Sequence, residues 1–505
     1  MDIRDETPAE AASDEAELAH FGYTQELKRS LGLFSSFAVA FSYISPSTGI
    51  FALFALGLTT IGGVFFWSWP LVALGQFIIA LSFAELSSHI PVAGSVYQWS
   101  KHLSNRTQAW FTGWMYLFAG ILTVTAVAVT LPLALIPTLD GMGWHMANNL
   151  SNQRTIALVF MVVVTLLNIY GVKAVAMINN VGVLFEILGM VVFAFILALF
   201  HNHQGVGVVF KTGGTHGTVG LFLVAMFMSL FVIYGFDTAS TLAEETRNPR
   251  KEAPKAVLYS IVGAFVIGGV FIWAILMAIP GTLASGVKGA LGPAAVIDAN
   301  FSNAFATTYL AVVSIAIFIC LLSIQANVMR LCFSMARDNQ LPGSSALRTV
   351  SPRLHTPWIA CIAVTILAAI PLLQYAGATY LAIAATGLIY LSYFMVGIAI
   401  LRARLNGWPQ REAPFKLGKW GVPVSVLGLI WGGGMLVNFA WPRAASNPTP
   451  VQTGKLLDFG WSWLNERPVL WTVAIVIAGV GGAYWALVQR HRRAETPAPT
   501  PVAAL

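Results

Sequence analysis

About twelve apolar runs of roughly 20 residues dominate this chain of 505 residues. A helix needs about that length to cross a hydrocarbon core about 30 Å thick. Backbone polar groups must be paired inside lipid, so runs of this length predict helices rather than the alternating strands of a barrel. The sequence therefore predicts an all-α polytopic membrane protein whose solvent is the lipid bilayer. The runs lie near residues 31–58, 62–86, 109–136, 155–172, 180–200, 219–242, 256–279, 307–335, 357–373, 378–401, 422–441 and 469–488.

Lysine and arginine residues predict the orientation of these runs, because both are held on the cytoplasmic side. With a cytoplasmic N-terminus, six of the 28 lysines and arginines fall outside, which leaves 22 in cytoplasmic segments. The first run begins after an acidic stretch and after Lys28 and Arg29, so we expect no cleaved signal peptide. We expect a multi-pass protein of the cell membrane, plasma or inner, with both termini cytoplasmic. The six outside residues are Arg154, Lys211, Lys288, Arg443, Lys455 and Arg467.

The composition excludes several classes of function. The net charge of +7 is spread over cytoplasmic segments, which explains it without a nucleic-acid partner. The three cysteines lie in or beside apolar runs, and the nine histidines are scattered without the spacing of metal ligands. A channel needs rings of charges or carbonyls from repeated pore segments, and the sequence has no such repeat. We expect no enzyme activity, no cofactor and no metal.

Two of the apolar runs are interrupted near their middle. The first reads SYISPSTGIF, where Pro46 removes a backbone donor and Gly49 permits unusual dihedral angles. The sixth reads FVIYGFDTAS, with Gly235 followed by Asp237. Either interruption alone is compatible with a simple kink. Their occurrence five segments apart predicts a transporter built from two inverted repeats that each begin with a broken helix.

A helix broken at mid-membrane exposes free N–H groups on one half and free C=O groups on the other. We expect the amides of Ser47, Thr48 and Gly49 to face a substrate carboxylate, and carbonyls near Tyr43 and Ile233 to face an amine. This is the chemistry of a zwitterion. The complete set of predicted substrate-binding residues is Tyr43, Ser45, Ser47, Thr48, Gly49, Ile233, Tyr234, Gly235, Phe236 and Asp237.

A choline-like or polyamine cation is the alternative substrate. Such a cation would use the carbonyl ends of the half-helices and an aromatic wall. Phe236, Tyr234 and Trp114 are the aromatic residues available for it.

Three phrases of the sequence resemble motifs of the amino acid–polyamine–organocation superfamily: FAELSSHIPVAGSVYQWSKH, YGFDTASTLAEETRNPRKEAPKA and RLCFSMARDNQLP. The long AEETRNPRKEAP stretch is most similar to the branch of amino acid, GABA and choline permeases. Two departures stand out: the first break reads SPSTG where many members have a G.G pattern, and Ser95 stands where a second glycine is usual.

This resemblance implies the five-plus-five inverted-repeat fold of the bacterial leucine transporter, with discontinuous helices 1 and 6 and two further C-terminal helices. It also implies uptake or exchange of a small substrate, commonly linked to protons. The corresponding divisions are an acidic cytoplasmic tail (1–30), a first repeat (31–200), a second repeat (219–401), two last helices (419–489) and a cytoplasmic tail (490–505).

Glu186 lies deep in the fifth run, where a charge costs about 2.5 kcal/mol or more. We expect it to face the helix bundle and to take up and release a coupling proton. The alternatives are a carboxyl that stays neutral or bonds to the eighth segment near Ser323, and a sodium site that uses the same oxygens. The resemblance places Glu186 where some proton-coupled members carry a lysine.

The other acidic residues each have two possible roles. Asp237 either recognises a substrate amine or caps the second half of the sixth helix, and we favour the cap. Glu85, Glu244 and Glu245 lie at cytoplasmic helix ends near Lys101 and Arg247. Their ion pairs form either an inner gate or a static interfacial network.

Together these features predict a secondary transporter that moves a small amino acid or GABA-like zwitterion by alternating access with a coupling proton. Choline, ethanolamine or polyamine transport, amino acid exchange and a non-transporting nutrient sensor are the alternatives.

Overall fold

The computed structural model describes residues 8–374, 378–441 and 469–491. In these ranges the chain is helical and forms no strand, apart from one bridge between Leu31 and Thr246. We number the α-helices in chain order. They are α1 (Pro8–His20), α2 (Leu33–Ile44), α3 (Pro46–Ile61), α4 (Ser68–His89), α5 (Ser95–Leu103), α6 (Arg106–Gly141), α7 (Leu150–Tyr170), α8 (Val172–Phe200), α9 (Val219–Val232), α10 (Thr238–Thr241), α11 (Pro249–Met277), α12 (Leu283–Lys288), α13 (Pro293–Asn300), α14 (Asn303–Arg337), α15 (Ser344–Leu347), α16 (Trp358–Ala369), α17 (Ala378–Leu405), α18 (Gly421–Ala440) and α19 (Val469–Leu487).

All twelve predicted apolar runs are mainly helical, and the first and sixth contain breaks. Among the described residues, eight helical stretches are long and apolar enough to cross a membrane, and the first, Leu33–His89, contains two of the predicted runs. Val219–Val232 and Trp358–Leu373 are shorter apolar helices. The prediction of an all-α polytopic membrane protein is confirmed. Residues 1–7, 375–377, 442–468 and 492–505 lie outside the described residues. The stretch 442–468 contains Arg443, Lys455 and Arg467, three of the lysines and arginines predicted to lie outside.

The first spanning segment is broken at Ser45, between α2 and α3. The backbone N–H of Ser45 closes α2 on the Phe41 carbonyl at 2.7 Å, and Ser45 itself has a left-handed backbone with φ of 35°. Pro46 then occupies the first position of α3. A proline fits there because its missing N–H would have no partner in the first turn of a helix. The predicted interruption of the first helix is confirmed.

The sixth spanning segment is broken between Val232 and Thr238. Gly235 in this stretch has φ of 84°, a conformation that favours glycine, and a Cβ at this position would collide with the ring of Tyr43. The second half of the segment is short, because α10 covers only four residues before a 3₁₀ turn at Ala243–Glu245. The second predicted break is also confirmed.

The spanning helices form two packed groups, and the broken helices belong to one of them. α2 and α4 pack against α11, and α3 packs against α9; we call α2, α3, α4, α9, α10 and α11 the bundle. α6, α7, α14 and α16 pack against one another, and we call them the scaffold. α8 contacts α2 and α11 of the bundle as well as α14 of the scaffold. α14 also contacts α2, α3 and α10, which flank the two breaks. The breaks therefore lie where the bundle meets the scaffold.

The N-terminal segment, predicted as an acidic cytoplasmic tail, packs on the spanning helices. Residues 8–20 form a helix, and the chain that follows buries Phe21, Tyr23 and Leu27, with Phe21 against His102 of α5 and Tyr23 bonded to Asp338 after α14. The apolar residues in this otherwise acidic stretch explain the packing, because they remove their side chains from water.

Candidate binding site at the helix breaks

A small cavity lies between the two breaks. Its walls come from α2 and α3, from α9 and the break that follows it, and from α6 and α14 of the scaffold. None of the lining side chains carries a charge. The lining residues are Tyr43, Ile44, Thr48, Gly49, Thr123, Val127, Phe231, Tyr234, Cys320 and Ile324. Four of the predicted binding residues therefore meet at one place. The lining residues that the sequence reasoning missed are Ile44, Thr123, Val127, Phe231, Cys320 and Ile324.

Aromatic rings form one side of the cavity. Tyr43 and Tyr234 meet edge to face with their ring centroids 6.1 Å apart, and the hydroxyl of Tyr234 lies 3.3 Å from Oγ1 of Thr123. Gly49 lies so close to Val232 that a Cβ at position 49 would overlap the valine side chain. The wall of α3 is therefore close to α9, and the cavity offers apolar surface with a few hydroxyl groups.

The start of α3 is already occupied by an acidic side chain. Oε1 of Glu186 accepts hydrogen bonds from the Ser45 hydroxyl at 2.8 Å, the Ser47 hydroxyl at 2.6 Å and the Ser47 backbone N–H at 3.3 Å. The predicted set of carboxylate-binding amides is therefore divided. Ser47 faces Glu186, whereas Thr48 and Gly49 line the cavity. The Gly49 N–H already donates to the Ser45 carbonyl at 3.3 Å, so its amide is not the free donor that we predicted.

The expected contact between Glu186 and Ser323 is wrong. The Ser323 hydroxyl donates to Oδ1 of Asn179 at 2.6 Å, and Asn179 lies two helical turns before Glu186 on α8. α8 and α14 do pack together, as expected. The contact lies at a different depth, and Glu186 turns toward the broken helix instead.

Two of the carbonyls expected to face an amine have protein donors. The Tyr43 carbonyl accepts from Sγ of Cys320 at 3.4 Å, and the Ile233 carbonyl accepts from Nε2 of Gln76 at 2.8 Å. A carbonyl oxygen has two lone pairs, so each can accept a second hydrogen bond. The Gln76 contact holds the end of α9 against α4.

Asp237 occupies the N-cap position of α10, as predicted, and does not line the cavity. Its side chain makes no capping hydrogen bond, so the predicted capping interaction is not formed. Its oxygens instead accept from the hydroxyls of Ser95 at 2.7 Å, Tyr116 at 2.6 Å and Tyr393. Tyr393 in turn accepts from the Gly235 N–H at 3.1 Å. Asp237 therefore fixes the sixth-segment break to α6, α17 and the start of α5.

Ser95 explains one departure from the family motif. Its φ of 30° lies in the left-handed region, where a serine is strained and a glycine is not. Unlike glycine, the serine supplies a hydroxyl that donates a hydrogen bond to Asp237. Ser95, Tyr116 and Tyr393 were missed in the sequence, although the serine at a glycine position was a signal.

The aromatic wall expected for a cation does not form. The Trp114 indole donates to the Ile477 carbonyl at 3.0 Å and stacks on Trp110. Phe236 packs against Phe83 and Tyr393. Of the three aromatic residues named for a cation, Tyr234 alone lines the cavity described above.

The acidic residues that the sequence predicts at the cytoplasmic helix ends are paired with arginines that we did not predict. Glu245 accepts from Nε and Nη2 of Arg330 at 2.9 and 2.8 Å. Glu244 accepts from Arg337 at 3.0 and 2.8 Å and from the Ala93 N–H at 3.1 Å. Both pairs join the end of the sixth segment to α14. The two arginines belong to RLCFSMARDNQLP, which was recognised only as a motif.

Glu85 and Arg247 also differ from expectation. Glu85 is paired with Arg404 of α17 and accepts from the Leu417 N–H at 2.9 Å. Arg247 forms no ion pair within the described part of the chain, and its backbone N–H donates to the Leu31 carbonyl at 2.9 Å.

Lys101 is paired with Asp338, with 2.7 Å between Nζ and Oδ2. The same carboxylate accepts from the hydroxyls of Tyr23 at 2.9 Å and Tyr97 at 2.8 Å. Burial, with Lys101 alongside, lowers the pKa of His102 to about 3, so this neighbouring ring stays neutral. Asp338 therefore connects the N-terminal segment to α5 and α14.

Beside this cluster, α1 is attached by charged contacts. Glu17 accepts two hydrogen bonds of 2.8 Å from Arg411, and Arg250 lies 3.5 Å away. The guanidinium of Arg337 lies over the ring of Tyr23, 3.9 Å from its centroid. The N-terminal segment thus packs on the same face of the protein as the ion pairs of Glu244 and Asp338.

The sequence matches a known protein family over most of its length. A model of the amino acid permease family matches residues 31–455. The chain belongs to this family. It is therefore an amino acid permease of the amino acid–polyamine–organocation superfamily, which makes it a multi-pass membrane transporter rather than an enzyme.

Relatives of the permease carry related names. It is 28% identical over 513 residues to the amino-acid permease BAT1 of Arabidopsis thaliana, with 95% of each chain covered. It is 29% identical over 365 residues to the branched-chain amino acid permease BcaP of Bacillus subtilis, covering 66% of this chain and 72% of that one.

One solved structure confirms the fold. The crystal structure of MhsT in complex with L-phenylalanine is similar with a TM-score of 0.52 and 13% sequence identity, and the match covers 79% of the permease and 97% of MhsT. The leucine-transporter-like fold with discontinuous first and sixth helices is thereby confirmed for the permease.

Proposed function

We propose that the permease transports a neutral α-amino acid with an apolar side chain, bound as a zwitterion in the cavity between the two helix breaks. The observation that carries this proposal is the cavity lining, which combines both breaks with apolar and aromatic side chains and contains no charged residue. A charged substrate side chain would be buried there without a partner, at a cost of several kcal/mol.

The two ends of the zwitterion would be held by different parts of the backbone. The N-terminus of α3 carries about half a positive charge and presents Thr48 and Gly49 to the cavity, so we place the carboxylate there. The amine would contact carbonyls of the Tyr43–Ile44 turn and of the break after α9. The Tyr43, Phe231 and Tyr234 side chains would surround the apolar part of the substrate.

The names of the relatives support an α-amino acid. BAT1 is named an amino-acid permease and BcaP a branched-chain amino acid permease. A GABA-like zwitterion has no side chain for the apolar and aromatic wall of Tyr43, Phe231 and Tyr234 to surround. Choline and polyamines lack a carboxylate for the α3 N-terminus, and no carboxylate side chain lines the cavity for their cationic groups.

We further propose that transport is by alternating access and that Glu186 carries a coupling proton. Glu186 is buried on α8, the helix that contacts bundle and scaffold, and it bonds to the broken helix. On the cytoplasmic side, the pairs of Arg330 with Glu245 and Arg337 with Glu244 would open when the substrate leaves inward. The Lys101–Asp338 and Glu85–Arg404 pairs belong to the same proposed gate.

Uptake by purified full-length permease in proteoliposomes tests the substrate. We expect L-leucine or L-phenylalanine to accumulate, and unlabelled neutral amino acids to compete better than GABA, choline or putrescine. Gly49→Ala should abolish uptake, because the added methyl overlaps Val232, and Gly49→Ala with Val232→Ala should restore part of it. Gly434→Ala, whose added methyl meets open space, is the matched control.

Three results would contradict the proposal. Accumulation of choline or putrescine in preference to neutral amino acids would favour the cation alternative. Binding of amino acids without accumulation or exchange would indicate a sensor. Uptake that requires sodium and ignores an imposed pH gradient would replace the proton with sodium.

A further inference from the structure

We propose, on the basis of the amino acid transport proposed above, that Ser45 is a positioning residue that reverses a hydrogen-bond chain between Glu186 and Thr48, so that a proton on Glu186 turns the Thr48 hydroxyl toward the substrate carboxylate. This goes beyond a proton site at Glu186, because it states how the proton changes the affinity for the substrate.

The hydrogen-bond chain has three members. The Ser45 hydroxyl donates to Oε1 of Glu186 at 2.8 Å, and Oγ of Ser45 lies 2.7 Å from Oγ1 of Thr48. Thr48 lines the cavity, whereas Glu186 and Ser45 do not. The Ser45 hydroxyl therefore connects a buried acid to the wall of the proposed substrate site.

Each hydroxyl has one hydrogen to donate, and this fixes the direction in which the hydrogen bonds of this hydrogen-bond chain point. An ionised Glu186 is acceptor-only, so Ser45 must give its single hydrogen to Glu186. Ser45 can then only accept from Thr48, which turns the Thr48 hydrogen away from the cavity. A protonated Glu186 can donate to Ser45 instead. Ser45 then donates to Thr48, and the Thr48 hydroxyl is free to donate into the cavity.

The charge acts in the same direction as the hydrogen bonds. An ionised Glu186 uses the Ser47 N–H at 3.3 Å and so neutralises part of the positive N-terminus of α3. A substrate carboxylate at Thr48 would share that terminus with a like charge. Protonation of Glu186 removes the repulsion, so proton and substrate bind cooperatively and each raises the affinity for the other by the same factor.

The surroundings of Glu186 leave it without a compensating cation. From α14, Tyr309 and Cys320 interact with it, and both are neutral groups. No lysine, arginine or histidine of the described residues pairs with Glu186. The charged residues of the helices packed on α8 lie at helix ends: Arg250, Lys251, Glu252 and Lys255 at the start of α11, Arg154 at the start of α7, and Arg330 and Arg337 near the end of α14.

Equilibrium binding of labelled L-leucine and L-phenylalanine to the full-length permease in detergent tests the proposed hydrogen-bond chain. Between about pH 5 and 9 we expect the wild-type Kd to rise with pH, by at most about tenfold per unit for one proton. Glu186→Gln should bind at all pH values with a nearly constant Kd, because the amide is neutral and can donate to Ser45. In weak buffer, substrate should cause proton uptake by wild type and none by Glu186→Gln.

Ser45→Gly isolates the relay from the charge. Glycine suits the left-handed backbone at position 45 and removes only the hydroxyl. We expect this variant to bind more weakly at low pH than wild type and to lose most of the pH dependence. Ser314→Ala is the matched control, because the Ser314 hydroxyl donates only to the Leu310 carbonyl of its own helix. It should keep the wild-type pH dependence.

Each outcome decides a different claim. A wild-type Kd that does not change with pH overturns the inference, even if a pH gradient drives uptake and the proposed function stands. An unchanged pH dependence in Ser45→Gly overturns the relay and leaves only the charge of Glu186. Failure of every amino acid to bind or accumulate at any pH overturns the proposed function itself, and the inference with it.

Discussion

The buried carboxylates of this permease are held in two different ways. Glu186 and Asp237, at the two helix breaks, accept hydrogen bonds from hydroxyl groups. Glu186 also accepts one from the Ser47 backbone N–H. Glu244 and Glu245, at the end of the sixth segment, are bound by the guanidinium groups of Arg337 and Arg330. An arginine only donates and always stays charged, so it favours the ionised form of its partner. A hydroxyl can donate or accept, so its partner can gain a proton without losing every hydrogen bond.

This difference separates two tasks. Paired carboxylates fix helix ends together until both partners move apart. Hydroxyl-bound carboxylates can change charge while the helices stay packed, which suits a site that takes up and releases a proton. Asp338 is an intermediate case, because it is bound by Lys101 and by two tyrosine hydroxyls.

The largest effect should come from Arg330→Ala. It leaves Glu245 buried without its cation, and removal of one partner of a buried pair costs about 3–5 kcal/mol. We expect a marked fall in the thermal unfolding temperature of the detergent-solubilised protein. The double variant Arg330→Met with Glu245→Gln should recover most of it. Equal unfolding temperatures for Arg330→Ala and wild type would break the distinction between the two kinds of carboxylate.

Asp237→Asn should have a smaller effect on stability. The amide keeps one acceptor oxygen but places an NH₂ group against hydroxyls of Ser95, Tyr116 and Tyr393 that must find new acceptors, at about 1–3 kcal/mol. Thermal unfolding of Tyr116→Phe should show part of this loss. Tyr309→Phe is the control, because the Tyr309 hydroxyl is buried without a hydrogen-bond partner among the described residues. A loss for Tyr309→Phe as large as that for Tyr116→Phe would contradict this account.

Lys101→Met tests the intermediate case. Asp338 keeps the hydroxyls of Tyr23 and Tyr97, so the loss of its cation should cost about 1–2 kcal/mol, less than Arg330→Ala. Burial raises the pKa of Tyr23 well above its usual value, so this hydroxyl remains a donor. Urea or thermal unfolding measures the difference. A cost equal to that of Arg330→Ala would show that hydroxyls do not compensate for a lost cation.

Glu17→Gln should have the smallest effect. Its partner Arg411 is half exposed, and ion pairs near the surface contribute about 0–1 kcal/mol. We expect little change in unfolding temperature and a change that shrinks further in high salt, since salt screens exposed pairs. A large loss would mean that the contact of α1 with Arg411 contributes as much as the buried pairs.

The positions of the breaks could be predicted because their causes are local. Pro46 cannot donate a backbone hydrogen bond, and Gly235 permits a positive φ, whatever the rest of the chain does. Glu186 could be singled out for a similar reason, since a single acid in an apolar run is conspicuous.

The partners of these residues could not be predicted. Ser45 and Glu186 are 141 residues apart, and Glu245 and Arg330 are 85 apart, so their contacts depend on how the helices pack. Ser323 shows how close such reasoning can come. The contact between α8 and α14 was expected correctly, but Ser323 meets Asn179, two turns away from Glu186.

The central claim is that the hydroxyl-bound Glu186 carries the coupling proton, and uptake into proteoliposomes with an imposed pH gradient tests it most directly. L-leucine uptake by wild type should rise when the gradient is directed inward. Glu186→Gln should show the same uptake with and without the gradient while still exchanging internal for external leucine. Gradient-driven accumulation by Glu186→Gln equal to that of wild type would contradict the account.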